Sequence, residues 1–326
     1  MPENERIRKD PEHRALVRRI AIIALTSVMV VAFALFNYFL PFETLLPAYQ
    51  FPTRSKGELR VHFLSVGQGD ATIVEFPEGD LLIVDAGDGS FENGNKIYRY
   101  VKGLGAQGIT LVATHADLDH CGGMKSLMDA FGAEKLYLPA IPSENKFYSE
   151  MIEAAKRVGC ETETLTRYGV IARPSGAYLV CLSPYSQGEA DKNAASTLLY
   201  LHYADTNILL GADIDAARER RLVREYELLS TVFDSGEYAV RLDETDILRV
   251  SHHGSATSSS EEWLRLLGAE VGIISCGADN YYKHPAAEAV ARISREVDTV
   301  YRIDELGDIV VSVTQEGYKV FTNFTE

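Results

Sequence analysis

The segment that most limits how this chain can fold is Ile109-Thr110-Leu111-Val112-Ala113-Thr114, an apolar run leading into His115-Ala116-Asp117-Leu118-Asp119-His120-Cys121-Gly122-Gly123. Such a run reads as a strand buried on both faces, and the glycine pair after the polar turn opens a helix over about 122–131. Two histidines and two carboxylates within six positions at a strand mouth suit a divalent metal. The i, i+2 spacing of His115 and Asp117, and the adjacency of Asp119 and His120, can serve two neighbouring ions. The competing reading is a polar strand-end loop whose aspartates cap the next helix.

The same pattern recurs. Leu82-Ile83-Val84 ends in Asp85-Ala86-Gly87-Asp88, and Ile208-Leu209-Leu210 ends in Gly211-Ala212-Asp213. Ile247-Leu248-Arg249-Val250 ends in Ser251-His252-His253-Gly254-Ser255, and Gly272-Ile273-Ile274-Ser275 leads through Cys276-Gly277 to Asn280 and His284-Pro285. Strands of one layer tend to end at a common edge, where loops gather function, so five polar loops can build a two-metal site. Asp85 and Asp213 also read as ordinary turn residues, although Asp213 is placed to bridge two cations. Side chains adjacent on a strand point to opposite faces, so at most one of His252 and His253 is expected to bind metal while the other orients substrate or packs. His13 and His62 look incidental, and His202 reads as a packed or surface histidine.

Strands are expected near 60–64, 71–76, 81–84, 136–138, 178–182, 197–203, 207–210, 247–250, 272–275, 309–313 and 319–322. Helices are expected over 96–102, 122–131, 150–158, 215–229 and 286–295. Antiparallel hairpins mixed with strand–helix units imply an α/β class of two packed sheets with helices outside, forming one domain over 59–326.

Residues 20–40 (IAIIALTSVMVVAFALFNYFL) carry no charge and match the length of a bilayer core. Arg6, Arg8, Lys9, Arg14, Arg18 and Arg19 precede them, giving a basic tail over 1–19. The positive-inside bias then places the N-terminus in the cytoplasm and the rest on the extracytoplasmic side of the cell membrane, held by a single-pass anchor. A cleaved signal peptide and a buried core helix are the rivals. Residues 41–58, with Pro41, Pro47 and Pro52, read as a linker. Net charge is −15, and the first twenty residues hold six basic against four acidic groups, leaving −17 on the remainder. So acidic a surface disfavours non-specific attraction to DNA or anionic lipid, so a nucleic-acid substrate needs a local basic groove or bound metal. Cys121, Cys160, Cys181 and Cys276 form no CxxC pair and read mainly as small buried residues.

On Phe63-Leu64-Ser65-Val66-Gly67-Gln68-Gly69-Asp70-Ala71, Asp85-Ala86-Gly87, the 115–123 stretch, residues 193–196, Gly211-Ala212-Asp213, His252-His253-Gly254-Ser255 and residues 280–285, the chain resembles the metallo-β-lactamase superfamily. Within it the resemblance is to the hydrolase domain of ComEC-type competence proteins, over about residues 59–322. It implies an αββα metallo-β-lactamase-like sandwich, here preceded by one transmembrane helix. It also implies that His115 and Asp117 hold one ion, that Asp119, His120 and His284 hold the other, and that Asp213 bridges. Asp85 would fix a ligand or its tautomer, and His252 or His253 would protonate the leaving oxygen. The commonest superfamily loop is H-x-H-x-D-H; Asp117 stands for its second histidine, as in ComEC-type domains. Asn193 and Ser196 stand where a further ligand histidine would be. Both changes harden the first site and shift its preference from Zn²⁺ toward Mn²⁺.

The implied cofactors are two divalent ions, Zn or Mn, with no organic cofactor, and the implied chemistry is hydrolysis by a metal-activated hydroxide. A membrane-anchored phosphodiesterase or nuclease, with DNA as a candidate partner, is the leading expectation. The alternatives are a hydrolase of small esters, lactones or lactams, whose signature is an open apolar pocket, and a binding module with a degenerate metal site.

Overall fold

The computed structural model describes residues 11–39, 48–183, 193, 195–234, 237–322 and 324. Residues 1–10 of the expected basic tail and 40–47 of the expected anchor end and linker lie outside them. The chain divides into two units, Met1–Pro47 and Ala48–Glu326. In the first, helix α1 (Pro11–Phe39) contains the stretch Arg14–Ala32, which is long and apolar enough to cross a membrane. Its apolar side chains, among them Ile23 and Val28, are exposed within the unit.

The second unit is a mixed α/β sandwich. One sheet has the order β15-β14-β1-β2-β3-β4-β5-β6 and the other β13-β12-β11-β10-β9-β8-β7. The first sheet comprises β1 (Leu59–Phe63), β2 (Thr72–Glu75), β3 (Leu81–Val84), β4 (Ile109–Val112), β5 (Lys135–Leu138), β6 (Glu161–Thr164), β14 (Ile309–Thr314) and β15 (Gly317–Phe321). The second comprises β7 (Val170–Ala172), β8 (Tyr178–Cys181), β9 (Leu199–Tyr203), β10 (Thr206–Leu210), β11 (Ile247–Arg249), β12 (Val271–Ile274) and β13 (Thr299–Arg302).

Period-two alternation builds the layers. In β3, Leu82 and Val84 enter the core between the sheets, whereas Leu81 and Ile83 face the outer helical layer. That is why the strand is apolar throughout. Leu179, Leu201, Ile208 and Ile273 close the inter-sheet core from the second sheet. Helices α2 (Phe91–Leu104), α4 (Met124–Phe131) and α5 (Lys146–Val158) cover the first sheet through Tyr100, Met128 and Met151. Helices α6 (Ala216–Asp234), α7 (Glu261–Leu267) and α8 (Ala287–Glu296) cover the second through Leu222, Trp263 and Ile293. Two one-turn helices, α3 (Leu118–Cys121) and α9 (Ile303–Leu306), complete the set described.

Residues 48–58, expected within the linker, start the second unit instead as packed chain. Tyr49 and Phe51 lie 5.3 and 4.7 Å, centroid to centroid, from Tyr100 of α2.

Strands β3 to β6 run parallel, as do β10 to β13. Their carboxyl ends are where open α/β sheets place ligands. The polar loops after β3, β4, β10, β11 and β12 therefore open at strand ends of one kind.

Candidate metal centre

The loop after β4 brings in His115, Asp117, Asp119 and His120, with Asp117 at the N-cap of α3. Packing fixes its path. The Gly67-Gln68-Gly69-Asp70 turn presses against it so closely that a Cβ on Gly69 would lie 2.4 Å from the Asp119 carbonyl oxygen. Beside it Gly89 abuts Gly122, where a Cβ would lie 2.3 Å from the carbonyl oxygen. Asn145, the N-cap of α5, donates its side-chain N–H to the Ala116 carbonyl at 2.8 Å and so ties a helix to the same loop.

Asp85, at the end of β3, is buried and serves three donors. It accepts from the Thr114 N–H at 2.9 Å, from the Thr114 hydroxyl at 2.7 Å, and contacts His120 Nδ1 at 2.7 Å. A carboxylate at Nδ1 leaves the Nε2 lone pair for another partner. That nitrogen lies 3.4 Å from Asp213 Oδ2 and 4.0 Å from Asp119 Oδ2.

From the second sheet, Asp213 follows β10, its N–H donating to Ser196 Oγ at 3.1 Å. Strand β11 ends at Arg249, so strand alternation does not govern His252 and His253. Both sit in a short 3₁₀ turn, Ser251–Gly254, with left-handed φ of 52° and 54°. This corrects the expectation that the pair must face opposite ways, because both rings turn toward the aspartates. His253 Nδ1 donates to the Ser275 carbonyl at 2.9 Å, and its Nε2 lies 3.5 Å from Asp213 Oδ2 and 3.6 Å from Asp119 Oδ2. His252 Nε2 is 3.9 Å from Asp213 Oδ2 and 3.5 Å from the Asn193 side-chain nitrogen. His115 Nε2 is 3.7 Å from Asp117 Oδ2 and 3.9 Å from Asp213 Oδ2.

His284 takes a more distant place. Its ring centroid is 5.8 Å from that of His252 and 6.2 Å from that of His253. It is half-buried, at the outer side of the cluster.

The buried atoms left without a hydrogen-bond partner test what this cluster is for. They include the Nε2 atoms of His115, His120 and His253, together with Asp70 Oδ1 and Asp213 Oδ1. Leaving one buried polar group unpaired costs about 1–3 kcal/mol, so the three Nε2 atoms gathered about Asp213 are explained best by a common partner. Two ligands of a tetrahedral ion with bonds near 2.1 Å stand roughly 3.4 Å apart. The spacings of 3.4, 3.5 and 3.6 Å among His120, His253, Asp119 and Asp213 fit that demand. One ligand atom from each of Asp70, His120, Asp213 and His253 also falls within 4.8 Å of the others.

Asp70 and Arg249 received no role from the sequence, yet both are buried at the centre. The Arg249 guanidinium pairs closely with Asp70, donates to the Ala212 carbonyl at 2.8 Å, and lies 4.0 Å from Asp213 Oδ1. Asp70 approaches the Nδ1 side of both rings, 3.8 Å from His120 and 3.9 Å from His253, behind the atoms that face Asp213. Two signals were legible. Asp70 follows β1 through a Gly-x-Gly turn just as Asp85 and Asp213 follow apolar runs, and Arg249 is a charge inside a buried strand.

Electrostatics bind the group together. Burial opposes charge on Asp213, but His253 and His120 hold its carboxyl well below the ordinary range. Burial likewise opposes charge on His120, which Asp213 and Asp85 nonetheless hold well above the usual histidine value. Burial and the neighbouring His120 push His115 down to about 4. Burial also lowers His252 and His284.

A mixed α/β sandwich with a buried Asp/His cluster of this kind is the class these observations define, and residues 64–164 match the model of the metallo-β-lactamase superfamily. Its curated relatives are competence proteins of the ComEC type. Over 274 residues the chain is 28% identical to ComE operon protein 3 of Bacillus subtilis (strain 168), covering 78% of this chain and 33% of that protein. It is 26% identical over 274 residues to Recombination protein 2 of Haemophilus influenzae, covering 83% of this chain and 31% of that one. Competence protein ComA of Neisseria gonorrhoeae is 25% identical over 270 residues, covering 81% of this chain and 34% of its own length. The chain therefore spans about a third of the length of the relatives it matches.

Proposed function

We propose that this protein is a membrane-anchored, metal-dependent phosphodiesterase whose substrate is nucleic acid. The observation that carries the reading is the convergence of unpartnered His115, His120 and His253 Nε2 atoms around the Asp213 carboxylate, fed from loops of both sheets. In this reading Asp119, His120 and His253 would hold one ion and His115 and Asp117 the other, with Asp213 within reach of both sets. His253 thus takes the ligand place that the resemblance gave to His284. Divalent ions, Mn or Zn, would supply the Lewis acidity that acidifies a water and balances charge on the phosphodiester oxygens.

The chain's own groups do the rest. Asp85 and the Ser275 carbonyl fix the Nδ1 tautomers of His120 and His253, so that the Nε2 lone pairs face inward. Thr114 holds Asp85 in turn. Arg249 neutralises Asp70 behind the rings. His252 and His284, on the accessible side and kept neutral by burial, orient the ester and relay to its leaving oxygen the proton that the attacking water gives up.

A phosphodiester is favoured over a lactam or lactone because divalent ions would balance the charge on its oxygens. A cavity of about 530 Å³ lined by Val101, Phe131 and Val158 lies by Ile109, at the opposite end of β4. The names of the relatives, a recombination protein and competence proteins, favour DNA as the ester. Helix α1, with Arg14, Arg18 and Arg19 at the start of its apolar stretch, supports a single-pass anchor with the second unit on the extracytoplasmic side.

The test is metal analysis of the full chain, followed by assay on bis(p-nitrophenyl) phosphate, single-stranded DNA and a chromogenic lactam. Cleavage of the two phosphodiesters, lost on Asp119→Ala with loss of bound metal, is the expected outcome. Lactam hydrolysis alone, or turnover unchanged by Asp119→Ala, overturns the reading.

A further inference from the structure

Between β12 and α8 the chain forms a loop over 275–286 that Asn280 staples at its base. The Asn280 side-chain N–H donates to the Gly277 carbonyl at 2.8 Å and to the His284 carbonyl at 2.5 Å. Its Oδ1 accepts the His284 N–H at 3.0 Å, and its main-chain carbonyl accepts the Lys283 N–H at 3.1 Å. At the other foot, a Cβ on Gly277 would lie 2.6 Å from the Gln68 nitrogen, so this end is wedged against the 67–70 turn. The loop is thus built to hold its tip in place.

What that tip holds out is aromatic. Tyr281 is 92% exposed and Tyr282 64% exposed, so neither ring serves the core. Their centroids are 5.7 Å apart at an interplanar angle of 83°. Tyr282 stacks on His284 at 5.8 Å and 23°, and His284 on His253 at 6.2 Å and 23°. The His253 Nε2 atom then stands 3.5 Å from Asp213. Every step lies within the 4.5–7 Å over which aromatic pairs stack. A file of rings therefore runs from solvent to the buried carboxylates, with exposed Lys283 at its outer end.

We propose that Tyr281 and Tyr282 form a stacking platform that sets substrate preference by holding an unpaired nucleobase adjacent to the scissile phosphodiester. The inference rests on the phosphodiesterase reading and deepens it. Tyrosine suits the task because it offers a large rigid face at the entropic cost of two side-chain torsions. Every base has a π-face, so stacking grips a strand without reading its sequence. On a −15 chain this grip adds affinity that charge attraction to a polyanion does not supply. Bases inside a duplex have their faces covered, so the platform selects single strands.

The test uses the full-length, manganese-loaded protein, with kcat and KM measured on a short oligothymidylate and on an abasic strand of equal length. The wild type is expected to show a KM lower for the base-bearing strand by about 5- to 150-fold, the range of base–aromatic stacking. In Y281A/Y282A that preference collapses through KM, with kcat changing far less, and Y281F/Y282F restores it. Equal KM for both strands in the wild type, or a preference that survives in Y281A/Y282A, overturns the platform alone. Faster cleavage of glycerophospholipid vesicles than of either strand overturns it in favour of a lipid ester. If neither strand nor bis(p-nitrophenyl) phosphate is cleaved, the phosphodiesterase reading falls and the platform falls with it.

Discussion

Two fully buried histidines of the second unit, His62 and His120, have similar surroundings and opposite meanings. Each Nδ1 has a close partner, Tyr100 Oη at 3.0 Å for His62 and Asp85 at 2.7 Å for His120. Each Nε2 is buried without a hydrogen bond, and each has a carboxylate near, Glu75 at 3.5 Å and Asp213 at 3.4 Å. Around His62, however, the charges already cancel. Arg54 and Arg60 reach Glu75, Arg60 also binds Glu58, and Lys96 binds Asp308. Around His120, Asp70 and Asp213 share Arg249, while Asp85, Asp119 and Asp213 lean on imidazoles. His62 meets one carboxylate from its own sheet, whereas His120 meets three loops and two further rings. Burial and an orphan nitrogen do not make a site; convergence with surplus negative charge does.

The largest effect that would break this comparison concerns Arg249, the partner of Asp70. Arg249→Met leaves Asp70 buried and uncompensated, and thermal or urea unfolding should show a loss of about 3–5 kcal/mol. A loss near zero would mean that Asp70 is neutralised without Arg249. Next comes Asp213, the carboxylate at the centre of the histidine cluster. Asp213→Asn should lower metal content and reduce turnover by more than the roughly 100-fold upper range for an outer partner, whereas Glu75→Gln beside His62 should leave metal content intact. Asp85→Asn acts through His120, so about 10- to 100-fold in metal affinity is expected, read by competition with a chelator.

Much of this contrast was open to sequence reasoning, for physical reasons that differ by residue. Strands β3 and β14 declare themselves as apolar runs because both faces are covered. Strand β6 (Glu161-Thr162-Glu163-Thr164) has every side chain exposed, so no burial pattern marks it. Helix α2 begins at Phe91 rather than near 96, because the Ser90 side chain caps the Asn93 N–H ahead of a polar first turn. Helix α7 follows a serine run whose backbone is held from another helix, since Glu219 accepts the Ser259 and Ser260 N–H groups at 2.7 and 2.6 Å. No local pattern announces that. The 115–120 loop was legible because its donors are contiguous. The alternation argument for His252 and His253 failed because left-handed backbone at both residues turns the chain just past β11, a conformation that non-glycine residues rarely announce.

The smallest effect sharpens the other half of the comparison. Burial depresses the His62 pKa below its ordinary value despite Glu75, so the folded protein keeps this ring neutral where the unfolded chain would protonate it. As pH falls below about 6.5, the unfolded state therefore binds a proton that the native state refuses, and stability declines toward acid over that window. His62→Gln retains a polar group facing the Tyr100 hydroxyl and removes the titration. It should cost about 1 kcal/mol at neutral pH, the worth of a disturbed hydrogen bond, and flatten the acid decline measured by urea unfolding between pH 7 and about pH 5. Metal content and turnover should not move. If the acid decline persists unchanged in His62→Gln, the proton is taken up elsewhere and His62 is not the neutral structural counterpart of His120.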